Sequence, residues 1–259
     1  MPPPDVLAQA AHPLLNGLLF AAFGLYVLAF VVAMARPRWG RWPLLAGVVV
    51  HLAGSIGRGV AIEYLPLTNK MESFSAAALA VALVAVVTWR PVRRYVLPML
   101  AVALAAFATA LRFPLDLAFA PPLMYTVWYP IHVPLSFLAY GLWTAAAAGA
   151  VAWLVDRDRE WLQRIQRWSL QGFGLWSASM ICGGIWGVVA WGAYFLWDPK
   201  VVWSVILWFH YATFLHVRHV PSLRDRDALR PVLALVGFLF VFIAYVGTSF
   251  FFGGASHAF

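Results

Sequence analysis

Charge is scarce in this chain: 11% of its 259 residues are Asp, Glu, Lys or Arg, against 63% that are apolar. A soluble domain of that length cannot hide so much hydrocarbon behind so few charges, so the composition excludes a water-soluble fold and points to the bilayer. Cysteine is almost absent. Cys182 is the one thiol and lies inside an apolar run, which excludes an internal disulfide and a CxxC pair. Any thiol chemistry must then belong to a partner or a substrate. Acidic residues number ten and form no catalytic pair; no nucleophile stands beside a base, and P-loop and zinc spacings are missing. No catalytic residue is expected. The net charge of +8 comes in short arginine clusters between apolar runs, without a basic stripe carrying stacking aromatics, so no nucleic acid is expected as a partner and membrane lipid is. The first apolar run starts at Leu14 after a neutral, proline-rich beginning without a basic n-region, and reads as a retained span.

What is abundant is long apolar sequence. About 20 helical residues cross a core of roughly 30 Å, and only closed helices satisfy the backbone in lipid. Eight spans are expected, at about 14–35, 43–61, 73–89, 95–111, 133–155, 169–190, 200–217 and 231–251. The expected fold is therefore all-α, a polytopic transmembrane bundle forming one integral membrane domain over 1–259, with no internal repeat. Arg36, Arg38 and Arg41 follow the first span, Arg90, Arg93 and Arg94 the third, Arg157, Arg159, Arg164 and Arg167 the fifth, and Arg218, Arg224, Arg226 and Arg230 the seventh. That gathers fourteen of the eighteen basic residues on one side, which the positive-inside rule makes cytoplasmic, with both termini outside. Gly183, Gly184 and Gly187 interrupt the sixth span, where missing side chains admit a neighbouring helix or a flat ligand.

The densest signal is the tryptophan-rich segment 186–208, with Trp186, Trp191, Tyr194, Trp197 and Trp203 followed by Trp208 and, further on, His216. Aromatic belts mark any membrane interface, but this density makes a rigid apolar shelf at the water boundary, suited to a shielded planar macrocycle. Asp198 before Pro199 reads as an N-cap followed by proline at the first helical position. His51 lies mid-span, where an ionisable group is a functional candidate by default. Glu63 and Glu72 flank Lys70 and read as a salt-bridge cluster. His12, His210 and His219 read as solvated or packing residues.

The block from Trp191 to Ser204, through Tyr194, Trp197, Asp198, Pro199, Lys200 and Trp203, resembles the WWD domain of the CcsA/ResC family of cytochrome c biogenesis proteins, whose pattern is close to WGxYWxWDPKExW. Three further blocks agree: Pro66 to Ser73 with Asn69 and Glu72, the histidine-led span from Ile131 to Tyr140, and Gly254 to His257. Two positions depart from the pattern, Val201 in place of the acidic residue and Phe195 in place of the second aromatic. The resemblance implies an outer haem b site with His132 and His257 as axial ligands, the closed bis-histidine arrangement that holds haem rather than oxygen. It also implies a second position within the membrane with His216 as a ligand, for which His51 is a further candidate, and a role for Asn69 and Glu72 in shaping the outer site. The implied function is that of the haem-handling component of a cytochrome c synthase, a thioether-forming lyase, in the inner membrane of a prokaryote or the thylakoid membrane. It would work with a ResB/CcsB-like membrane partner on apocytochrome c bearing CxxCH, and indirectly with thiol-reducing proteins. The alternatives are a haem exporter or chaperone of the CcmC type, which has fewer spans, and a dihaem cytochrome b electron-transfer subunit, which pairs histidines on long helices.

Overall fold

The computed structural model describes residues 12–223 and 226–251. Among them all regular structure is helical: α1 (Pro13–Ala35), α2 (Arg41–Ala61), α3 (Lys70–Val87), α4 (Arg93–Ala110), α5 (Tyr129–Asp156), α6 (Arg159–Trp191), α7 (Pro199–His216) and α8 (Leu229–Phe242). α8 continues through a π-helical turn (Ile243–Gly247) into a last turn, Thr248–Phe251. Seven of these helices, counting α8 with its extension, are long and apolar enough to cross a membrane, which makes the chain an integral membrane protein. The eighth, α7, has 18 residues and is diluted by Lys200, His210, Tyr211 and His216, so composition alone sets it apart.

The chain divides into two compact units, one up to Thr126 and one from Val127. In the first, α1 packs on α2 and α4, while α3 packs on α2 and α4. Leu19, Ala22, Tyr26, Ala29 and Ala33 form the buried stripe of α1 at helical spacing. Val27, Leu28, Val31 and Met34 on the same helix are exposed, as lipid-facing side chains are. In the second unit α5 and α6 form the longest pair, with α8 against α5 and α7 against α6 and α8. Ala145, Ala146, Ala147 and Ala148 are all buried in α5. Small residues let helix backbones approach where no hydrophobic drive operates between them.

α6 departs most from expectation. It has 33 residues, about 50 Å at 1.5 Å each, and begins ten residues before the expected 169. The reason is an amphipathic opening. Trp161, Leu162, Ile165 and Trp168 are buried at helical spacing, Asp158 caps the helix by accepting from Glu160 N at 2.9 Å, and Arg164 pairs with Glu160 one turn away. Arg164 and Arg167, expected in a loop, therefore ride on a helix.

Candidate functional site

The tryptophan segment is built by three elements of the second unit: the end of α6, the irregular stretch 192–198 and the start of α7. Gly192 ends α6 at φ +72°, a left-handed cap that glycine takes without strain. Asp198 opens α7 as expected, its Oδ1 accepting from Lys200 N at 2.8 Å with Pro199 at the first position. Between the two, the segment folds back on the glycines of α6. A Cβ on Gly184 would stand 2.3 Å from the Tyr194 ring, and one on Gly187 2.9 Å from the Ala193 carbonyl. The missing side chains are what let this segment close onto the helix.

The result is a cavity of about 130 Å³, open to its surroundings, with His132, Trp176, Trp186, Trp191, Tyr194 and Lys200 in its lining. Trp186 is buried at the centre of this aromatic group, against Tyr129 at 4.9 Å, Trp191 at 4.7 Å and the His132 ring at 6.3 Å. The shelf is smaller than four tryptophans. Trp197 is 88% exposed and edges onto Phe195, and Trp203 turns toward Phe240 of α8 at 5.8 Å; neither lines the cavity. Trp176 does line it and carries no motif; its position two to three turns before Trp186 on one helix was the available signal. Val201 and Phe195, where the chain departs from the family pattern, both face the cavity and make it more apolar.

His132 is the fourth residue of α5 rather than a loop residue leading into it. Its Nδ1 lies 2.8 Å from the Ser179 carbonyl of α6 and 2.9 Å from the Ser179 hydroxyl. A carbonyl oxygen only accepts, so Nδ1 carries the proton and Nε2 keeps its lone pair. The ring lies close against α6, because a Cβ on Gly183 would stand 2.6 Å from its Cε1 and 2.7 Å from Nδ1. Gly183→Ala is accordingly expected to displace the imidazole while leaving the helix intact, seen as unchanged helical circular dichroism with an altered His132 side-chain resonance.

The other histidines separate by the same test. His216 ends α7 as expected, and its Nδ1 lies 2.7 Å from the Ala212 carbonyl, which again leaves the lone pair on Nε2. It borders a small cavity with Gln166, Leu170 and His219. His210 instead donates Nε2 to the Leu233 carbonyl at 2.9 Å and ties α7 to α8. His51, in the first unit, has Nδ1 3.2 Å from Tyr26 Oη and Nε2 2.7 Å from Ser75 Oγ, with Phe107 stacked on it at 4.2 Å. Both of its nitrogens are engaged, so it becomes a ligand only by releasing a partner. His257 lies outside the described residues.

Asn69 and Glu72 are placed in the first unit by a different logic. Asn69 Oδ1 accepts from Glu72 N at 2.9 Å and caps α3. Glu72 does not join Lys70. Its Oε1 receives Arg58 Nε at 3.2 Å and an Arg58 terminal nitrogen at 3.1 Å, and its Oε2 receives Thr68 N at 2.9 Å and the Thr68 hydroxyl at 2.8 Å. Arg58 spends its remaining donors on the carbonyls of Leu115 and Asp116, both at 3.0 Å, and on Asn16 Oδ1. Both partners of the ion pair are 2% exposed. Arg58, one of the four basic residues outside the arginine clusters, is the centre of this knot.

Among the described residues the chain is an all-helical membrane protein, with a tryptophan-lined cavity between a glycine-rich helix end and a histidine-bearing neighbour. Residues 61–255 match the model of the family described as cytochrome C assembly protein, and the chain belongs to that family. It is 25% identical over 302 residues to the cytochrome c biogenesis protein CcsA of Pyropia yezoensis, covering 91% of this chain and 94% of that one. It is 45% identical over 80 residues to CcsA of Gloeobacter violaceus, a stretch that covers 30% of this chain and 23% of the relative. The solved structure of cytochrome c heme lyase CcmF superposes with a TM-score of 0.73 at 18% identity, over 91% of this chain and 47% of that chain. The fold is shared, and the chain spans about half the length of that structure.

Proposed function

We propose that this protein is the haem-handling component of a cytochrome c synthase, holding reduced haem b at the tryptophan-lined cavity for covalent attachment to apocytochrome c. The observation that carries the reading is His132, whose Nδ1 is committed to a backbone carbonyl while Nε2 keeps a lone pair in the wall of an aromatic cavity. The residues present suit the group. An imidazole with a fixed tautomer is the usual axial donor, Trp176, Trp186 and Trp191 supply an apolar aromatic wall, and Lys200 offers a cation to a propionate. The cavity is open and its border residue Tyr194 is 58% exposed, so the edge of a large planar guest need not be enclosed. His257 is the second axial ligand in this reading. His216, at the end of α7, serves a second haem position in this reading, and His51 would act as a ligand only on leaving Ser75 or Tyr26.

Bound haem supplies two vinyl groups across which the CxxCH thiols add, forming two C–S bonds without net oxidation. The protein's part is orientation and exclusion of water: His132 fixes the iron, and the aromatic wall shields one face. In this reading a ResB/CcsB-like partner receives the apocytochrome, and thiol-reducing proteins keep the CxxCH pair reduced. On the same reading the cavity faces outward across the inner membrane of a prokaryote or the thylakoid membrane, an orientation that the arginine clusters support. A reporter fused after Phe259 is expected to give an outside signal, and a cytoplasmic one would reverse that orientation.

The test is co-expression with an apocytochrome and a ResB-like protein in cells lacking their own maturation system. Covalent haem on the CxxCH protein supports the synthase. Haem bound to this chain without transfer to the apocytochrome would leave only a carrier.

A further inference from the structure

We propose that Ser179 and Ser136 are positioning residues that lock His132 in one tautomer and one direction. The inference rests on His132 as an iron ligand for its consequence, but the lock itself is a property of the protein alone. Ser179 Oγ lies 2.9 Å from His132 Nδ1, 2.9 Å from the His132 carbonyl and 2.6 Å from Ser136 Oγ. Ser136 Oγ in turn lies 3.1 Å from the His132 carbonyl. Both serines are buried, Ser179 fully and Ser136 at 7% exposure.

The proton assignment follows from the acceptors. The Ser179 carbonyl at 2.8 Å from Nδ1 cannot donate, so the proton between them belongs to the ring. The Ser179 hydroxyl, also beside that protonated nitrogen, then turns its own proton to the His132 carbonyl. Ser136 donates to Ser179 Oγ or to the same carbonyl. Every proton has an acceptor in this arrangement. With the tautomer reversed, two lone pairs would face each other at 2.8 Å across Nδ1 and the carbonyl.

The pair also closes a small hydrogen-bonded ring between α5 and α6. That ring holds the Ser179 carbonyl in register with the imidazole, and Gly183 of α6 lies so close to the histidine that a Cβ there would stand 2.6 Å from its Cε1. Donation from Nδ1–H to the carbonyl also makes Nε2 a stronger donor, the role that outer partners of metal-bound histidines play.

Ser136→Ala, Ser179→Ala, the double variant and Ser179→Thr are compared with the unaltered full-length chain and with His132→Ala. In haem-free protein in bilayers with 15N-labelled histidine, His132 is expected to show Nδ1 protonated and Nε2 bare. The double variant is expected to show both tautomers, because without the hydroxyl ring the Ser179 carbonyl is no longer held against Nδ1, and Ser179→Thr to match the unaltered chain. In haem-loaded protein the double variant is expected to retain haem about tenfold or more less firmly, with free imidazole restoring the low-spin spectrum. An unchanged 15N pattern in the double variant overturns the lock; if that variant fails to accumulate, Ser136→Ala, which removes one hydroxyl, decides in its place. Haem retention unaffected by His132→Ala would instead overturn the ligand reading, and the 15N measurement still decides the lock.

Discussion

His132→Ala is expected to abolish haem retention at the tryptophan-lined cavity and, with it, covalent attachment to a co-expressed apocytochrome. The loss should exceed the roughly 10–100-fold that removal of an outer-shell partner costs, since the variant removes the ligand itself. Added imidazole is expected to restore a six-coordinate low-spin spectrum, because the aromatic wall of Trp176, Trp186 and Trp191 stays in place and the truncated side chain leaves room. Folding should survive. The His132 ring contributes hydrogen bonds to α6 through Ser179, yet α5 and α6 meet along most of their length through small and aromatic residues, among them Gly149 against Ile165, Trp161 and Trp168. Optical spectra with and without imidazole, read beside thermal unfolding, separate a lost ligand from a lost fold.

The second large effect lies in the first unit and concerns stability. Glu72→Met or Arg58→Met breaks an ion pair whose partners are 2% exposed, and leaving one buried charge uncompensated costs about 3–5 kcal/mol. Most of that penalty comes from the orphaned charge rather than from the bond. The double variant Arg58→Met/Glu72→Met should therefore lose less than the two single losses combined. It will not be neutral, because the Leu115, Asp116 and Ala118 carbonyls and Thr68 N all lean on this pair or on the Thr68 hydroxyl beside it. Unfolding of the four proteins in detergent, arranged as a double-mutant cycle, measures the coupling. A coupling near zero would mean that the Arg58 and Glu72 charges act independently.

The spans were legible because a hydrocarbon core imposes length and apolarity, and most helix ends fall within about four residues of those read from hydropathy. Caps were legible too: Asp198 followed by Pro199 has one common structural use, and the structure shows it. What hydropathy could not see was amphipathic. Arg159, Arg164 and Arg167 resemble a loop to a hydropathy window, although Trp161, Leu162, Ile165 and Trp168 at helical spacing carry the helix through them. Long-range pairing was equally hidden. Lys70 lies two residues from Glu72, but a side chain two positions along a helix points elsewhere, whereas Arg58 reaches Glu72 from α2. The motif also overcounted the shelf: Trp197 and Trp203 share the block with Trp191 but not its direction.

The most direct measurement is a structure of the full-length protein isolated with haem. A macrocycle lying against Trp186 with its iron bonded to His132 Nε2, and His132 Nδ1 still on the Ser179 carbonyl, is the result expected here. Haem held elsewhere in the protein, with His132 Nε2 free of iron, would contradict it.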